Sequence, residues 1–444
     1  MRVIKILLTL HLTFSFLVQP SFQKIVLAGD KDQEEGNVSS VESSSDERIL
    51  LLEQELERIK QKLEKRDKED QLKKLLDEAS KLKRVEKKET SGIGKKFRSG
   101  TRKQSGLNPN ISVGGDFFMG ISSSKEKIIS EPSDISYGNN RFELREMEVA
   151  FVAPLDPFTR GKSFISVQPD AIAIEEAYME WLNLPLNLNL KAGIFYSDFG
   201  ILNRYHDHAL PQFDRPKVLV NTFGNGGLAG VGLSGNFLLP RMFFSDASSI
   251  DLSVIRGGND FSFTSAGTYN MIAVGHFKNY YDLNRDTYIE WSLSGATGRY
   301  DAEEKQMSYL GDLGLTLKWA PVGRAKYRTV EWHTEIIGSK RETPVGTLSS
   351  LGFYTSLQNK INARYWLSAR VGYSGLPTED DQYEWDITTC IDFWQSEFVF
   401  LRLQYQYSDR HIDSHMGYTG PFPDDHSLIC QINWAMGPHK HEKY

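Results

Sequence analysis

The sequence predicts an all-β transmembrane antiparallel barrel of about sixteen strands, preceded by an N-terminal α-helical coiled coil. Three observations carry this. From Asn110 onward, apolar and polar residues alternate with a period of two over segments of about ten residues. The connections between these segments alternate in length. Upstream, a narrow stripe of Leu and Ile recurs at spacings of three and four.

The elements follow in chain order. Arg2 and Lys5 precede an apolar run from Ile6 to Val18, and Val26-Leu27-Ala28 offers a small-residue cleavage site, so residues 1–28 read as a secretory signal peptide. Its removal takes Arg2, Lys5 and Lys24 away and moves the net charge from −6 to about −9. The remainder is mildly acidic, with no concentrated basic face, which argues against a nucleic-acid partner. No later apolar run approaches the length of a spanning helix, which excludes a helical inner-membrane transporter and says nothing against a barrel. Residues 29–45 are polar and read as a disordered linker. In 46–89, Ile49, Leu52, Leu56, Ile59 and Leu63 set a stripe that lapses across 64–71 and resumes at Leu72, Leu75, Ala79 and Leu82. This is a periplasmic coiled coil with a break in register, and its stripe calls for self-association or docking. Residues 90–109, basic and rich in Gly and Ser, form a second linker, and 110–444 the barrel.

Within the barrel, Val399, Leu401, Leu403, Tyr405 and Tyr407 oppose Arg402, Gln404 and Gln406, and Tyr383, Trp385, Ile387, Thr389, Ile391 and Phe393 oppose Glu384, Asp386 and Asp392. Odd-numbered connections are mostly long (120–141, 197–227, 257–269, 298–309, 339–347, 408–425), and even-numbered ones mostly short (183–187, 282–286, 359–361, 395–396). That parity is the pattern of outer-membrane barrels whose termini lie on the periplasmic side. Tyr280, Tyr281, Trp319, Tyr405 and Tyr407 sit at strand ends, where interfacial aromatic girdles belong. Cys390 and Cys430, the only cysteines, sit on opposite strand faces and make neither a disulfide framework nor a zinc cluster.

The longest connection begins in FYSDFGILNRYHDHALPQFDRP, residues 195–216. A lumen of about sixteen strands is too wide to be filled by wall side chains. This loop is therefore expected to fold inward and form a constriction with Asp198, Arg204, His206, His208, Asp214 and Arg215, its edges anchored by Phe195, Tyr196, Phe199 and Phe213. Lining residues are expected to be mixed in charge: Lys191, Arg364, Arg370 and Arg402 with Glu331, Glu335, Glu384, Asp386 and Asp392. If His206 and His208 line the narrowest point, acidification through their ordinary range near pH 6.5 should add positive charge. The two could also ligate a metal, with Asp198 or Asp214 completing the set, but a loop-structuring role is favoured and no metal or cofactor is assigned. No nucleophile elbow, phosphate loop or dinucleotide fingerprint is present, and Glu175 and Glu176, adjacent in a strand, should point to opposite faces. No enzyme is expected. The Gly-rich run 225–235 reads as the sixth strand packing closely beneath the inward loop.

RFELREMEVAFVAPLDPF (141–158), IEEAYMEW (174–181) and LNLKAGIFYSDFG (188–200) resemble strands two, four and five of the phosphate-selective porin family, the O and P porins. The resemblance implies a sixteen-stranded, trimeric outer-membrane channel for passive diffusion of small solutes or ions, with the loop after strand five inside the pore. The mixed lining departs from the arginine and lysine clusters of anion-selective members, so phosphate selectivity does not carry over. Two other readings stay open: a metal-linked outer-membrane receptor using His206 and His208, and a structural protein tethering the envelope through its coiled coil.

Overall fold

The computed structural model describes residues 109–437, apart from 124–140, 170, 225, 260, 268–269, 302–304, 345, 413, 416–417 and 420–423, together with Glu55. The signal peptide, the two linkers and the coiled coil of 46–89 thus fall outside the described residues, Glu55 and Pro109 excepted. So does the tail after Gly437.

Sixteen antiparallel strands close into one barrel. They are β1 Asn110–Ser122, β2 Arg141–Pro154, β3 Thr159–Val167, β4 Ile172–Leu184, β5 Leu188–Tyr196, β6 Ala229–Leu239, β7 Ala247–Arg256, β8 Met271–Asn284, β9 Thr287–Arg299, β10 Met307–Trp319, β11 Thr329–Thr343, β12 Gly346–Lys360, β13 Tyr365–Gly375, β14 Tyr383–Trp394, β15 Val399–His411 and β16 Asp425–Met436. Each pairs with its chain neighbours, and β16 closes on β1 with Phe118 opposite Gln431. Closure satisfies every ladder and leaves no sheet edge, the condition a sheet must meet to cross lipid.

The faces are inverted relative to a water-soluble protein. Val231 and Leu351 are 58% and 59% exposed on the outside, whereas Glu335, Gln404 and Gln431 are fully buried within. On β15, Leu403 and Tyr405 are exposed while Arg402, Gln404 and Gln406 are buried, as their alternation predicts. Period-two patterning therefore sorts apolar side chains outward and polar ones into the lumen.

The parity of connection lengths holds in outline. Four connections depart from it: 168–171 and 344–345 are tight, although they lie on the side of the long loops, and 240–246 and 320–328 are longer than their companions. The connection read as 339–347 shrinks because β11 and β12 pair out to Thr343 and Gly346 through polar stretches with little alternation. Within the glycine run 225–235, Gly227 does meet the inward loop, since a Cβ there would lie 2.9 Å from Asn203 Oδ1, but Gly230 and Gly232 of β6 serve the neighbouring strand instead. A Cβ on Gly230 would lie 2.7 Å from the Arg256 carbonyl, and one on Gly232 would strike that of Val254, so both residues let β6 and β7 approach closely.

Candidate functional site

The segment 197–228 leaves β5 and turns into the barrel. Gly200 makes the turn at φ +60°, which suits a residue without Cβ. Its N–H donates to Ser294 Oγ on β9 (2.8 Å), and the N–H of Ile201 donates to Glu335 Oε1 on β11 (2.6 Å). The chain has thereby left the β5 wall for the wall of β9–β11. A 3-10 turn, Asp207–Ala209, carries it back toward β2, and the helix α1, Lys217–Phe223, is buried along its length against β12–β14. Asn221 Nδ2 donates to Glu384 Oε1 (2.8 Å) and Ser374 Oγ (3.0 Å). Gly352 on β12 makes room for the helix, since a Cβ there would lie 2.5 Å from Val218 Cγ2.

Part of the loop packs dry. Phe199, Leu202, Leu210, Leu219 and Phe223 join Ile272, Val274, Ala296, Leu310 and Ile337 of the β8–β11 wall in one apolar cluster. The expected anchors hold: Phe199 stacks edge-on against Phe223 (5.1 Å between centroids), Phe213 against Phe118 (4.9 Å), and Phe195 and Tyr196 are buried.

The predicted site residues divide into separate pairings. Asp198 pairs with Arg204 inside the loop. Arg215 turns back on the loop, donating to Asp207 Oδ1 (3.1 Å) and to the carbonyls of Leu202 (3.2 Å) and Tyr205 (2.5 Å). Asp214 reaches the wall, accepting from Arg370 Nη2 (2.6 Å), Gln404 Nε2 (2.7 Å) and Gln406 Nε2 (3.1 Å). Arg370 also lies 3.4 Å from Asp386. Arg402 grips Asp392 with two N–H groups (2.8 and 3.0 Å) and donates to the Leu210 carbonyl (3.3 Å). Glu384 holds α1 through Asn221, and the Lys191 ammonium lies 5.0 Å from the rings of Tyr178 and Phe195. Arg364 is not on the lumen wall. It occupies the exposed turn before β13, because the ladder starts one residue later, at Tyr365.

His206 and His208 come together, but not with Asp198 or Asp214. Their partners are glutamates of β2 and β4. His206 Nδ1 lies 2.6 Å from Glu148 Oε2 and 2.7 Å from Glu175 Oε2, and its Nε2 is 3.1 Å from Glu176 Oε2. His208 Nδ1 lies 3.3 Å from Glu146 Oε1 and 3.8 Å from Glu148 Oε2. Two β-bulges build this crowding. On β2, Asp116 faces Glu146 and Phe117 faces Leu144, so Arg145 is the extra residue. On β4, Phe164 faces Glu176 and Ile165 faces Ile174, so Glu175 is the extra residue. A bulge breaks strict alternation. Glu175 and Glu176 consequently both reach His206, contrary to the expectation that neighbours diverge. Arg145, which sequence reasoning missed, bonds Asp116 and donates to the carbonyls of Phe213 (2.7 Å) and Asp207 (3.1 Å).

Burial opposes charge on both imidazoles, yet Glu148, Glu175 and Glu176 around His206, and Glu148 and Glu146 around His208, hold them above their ordinary range. The raised pKa of both rings moves the charge gain expected near pH 6.5 to higher pH.

No family model matches the chain. Among solved structures, the barrel is similar to OprB of Pseudomonas putida, with a TM-score of 0.53 and 10% identity over 77% of this chain and 97% of that one. It is likewise similar to the outer membrane channel DcaP of Acinetobacter baumannii, with a TM-score of 0.50 and 11% identity over 74% and 97%. At these identities the likeness is one of fold: a closed antiparallel barrel. A curated protein of Aquifex aeolicus (strain VF5), described as uncharacterized, is 31% identical over 346 residues, which are 67% of this chain and 69% of that protein. The chain belongs to the same family as this Aquifex protein.

Proposed function

We propose that the protein is an outer-membrane porin, a water-filled channel through which small solutes or ions diffuse passively, with no catalytic step. The observation that carries this reading is the inward course of 197–228 across a lumen lined with polar side chains. A wall of this kind gives no reason for so long a loop to fold inside unless it sets the size and charge of a passage. Arg204, with its partner Asp198, and the pairs Asp214–Arg370 and Arg402–Asp392 would supply the field, and Lys191, Glu384, Asp386 and Arg215 the charges around it. The finer reading comprises kinship with the O and P porins, a trimer, a periplasmic coiled coil at 46–89, periplasmic termini and outward-facing long loops.

Single-channel recording in planar bilayers tests the proposal. The wild-type protein should conduct in discrete steps, and deletion of 201–214 should raise the step several-fold and change the reversal potential in a salt gradient. A deletion channel with wild-type conductance and selectivity would place the loop outside the ion path. Protein that inserts but never conducts, with or without the loop, would end the porin reading.

A further inference from the structure

We propose that Glu148, His206 and His208, with Glu175 closing the set, form a binding site for a divalent transition cation of the zinc class, which staples the inward loop to β2 and β4. The site needs the closed barrel and the folded loop. It does not depend on whether the barrel conducts.

Four observations converge on it. First, one ligand atom from each of Glu148, His206 and His208 lies within 4.8 Å of the others, and all three residues are buried. Zinc holds nitrogen and oxygen ligands at about 2.0–2.2 Å, which sets them roughly 3.4 Å apart around a tetrahedral ion. Small side-chain rotations cover the difference. Second, Glu148 Oε2 and Glu175 Oε2 both converge on His206 Nδ1, at 2.6 and 2.7 Å. One ring nitrogen carries at most one proton and can give it to only one of them. Among the described residues, Glu175 Oε2 has no hydrogen-bond partner apart from that contested Nδ1 proton. A cation at that point takes the place of the Nδ1 proton, which leaves to solvent, and satisfies both carboxylate oxygens. Third, the opposite nitrogen of the same ring, Nε2, lies 3.1 Å from Glu176 Oε2. A carboxylate behind a metal-bound imidazole fixes the ring's tautomer and orientation. Fourth, the surroundings carry an excess of acid: the carboxyl groups of Glu146, Glu148, Glu175 and Glu176 face two imidazoles, and the neighbouring Arg145, which is bonded to Asp116, offsets only part of it at Glu146. Two imidazole nitrogens with carboxylate oxygens favour zinc, cobalt or nickel over calcium and magnesium, which take oxygen ligands.

Position explains what such an ion would do. Glu148 and His206 are 58 residues apart in sequence, so the ligand set exists only once the loop has folded into the closed barrel.

The test uses the full chain in detergent, stripped with EDTA and then dialysed against zinc chloride, with bound metal counted by atomic emission. About one zinc per chain is expected, and cobalt in its place should give the visible bands of a tetrahedral site. His206→Ala/His208→Ala should abolish uptake. If that variant fails to fold, Glu148→Gln, which keeps the shape of the side chain, should retain the β-sheet circular dichroism signal while weakening zinc binding about 10–100-fold or more. His411→Ala and His439→Ala/His441→Ala should bind as the wild type does. Wild-type protein that takes up no zinc at high micromolar concentration overturns the assignment. So does uptake unaffected by Glu148→Gln, or uptake lost only with the tail histidines.

Discussion

Two of the walls that grip the inward loop use the same kinds of residue and hold it in different ways. On β13–β15 acids and bases are matched: Arg370 with Asp214 and Asp386, Arg402 with Asp392, and Arg410 beside Glu384 at 3.8 Å. On β2 and β4, four glutamates crowd two histidines. The first wall runs in unbroken register, so charges two residues apart project into the lumen at fixed intervals and find a partner each. The second wall is bulged at Arg145 and Glu175, and each bulge adds a side chain that alternation would have sent outward. Balanced pairing gives the loop a fixed seat, whereas surplus acid gives the molecule a capacity to bind a cation.

The largest effect should come from breaking the balanced wall. Arg370 is 1% exposed and forms ion pairs with both Asp214 and Asp386. Arg370→Ala would leave the buried carboxylates of Asp214 and Asp386 with Lys217 as the remaining cation acting on both, at a cost of about 3–5 kcal/mol. Equilibrium unfolding from lipid vesicles reads this directly. A loss under about 1 kcal/mol would mean that water reaches this wall freely and that the pairing is not what seats the loop.

A smaller effect should separate the two faces of that wall. Leu401 faces outward on β15, and Arg at this position should cost about 2–4 kcal/mol if it meets the middle of a bilayer. Gln404, on the inner face, accepts from the N–H of Phe213 (2.8 Å) and donates to Asp214. Gln404→Arg forfeits the first bond but sets a cation beside the aspartate, so the expected cost is about 0.5–1.5 kcal/mol. Equal costs at the two positions would show that the outer face does not meet lipid.

The regular wall was legible in the sequence and the bulged wall was not. Alternation alone placed Leu401, Leu403 and Tyr405 outward and Arg402, Gln404 and Gln406 inward, and length, position after the fifth strand and charged side chains drew attention to the connection read as 197–227. The partners of His206 and His208 could not be read the same way. Nearby aspartates looked like natural neighbours, yet Asp198 is taken by Arg204 and Asp214 by Arg370. The actual partners come from strands 30 and 58 residues away, joined by barrel closure. The bulge at Glu175 then defeated the rule that adjacent strand residues diverge. A faint sign existed in the run from Glu143 to Glu148, where acids spaced by three and then by two break the period of the strand.

The smallest predicted effect has the opposite sign and tests the unbalanced wall. The Glu175 carboxylate competes with Glu148 for one proton on His206, while Glu146 stands close enough to share a hydrogen bond with it. Glu175→Gln keeps the shape, removes one like charge from a partly buried acidic cluster and supplies an amide that can donate to Glu146 or Glu148. In metal-free protein this should stabilise the fold by up to about 1 kcal/mol, in contrast to the loss at Arg370. In zinc-saturated protein the gain should vanish or reverse, because the variant gives up a charged ligand along with the repulsion. The same unfolding measurement with and without zinc decides the matter. A metal-free Glu175→Gln protein clearly less stable than wild type would show that its carboxylate is already compensated, and that this wall, like that of β13–β15, is balanced.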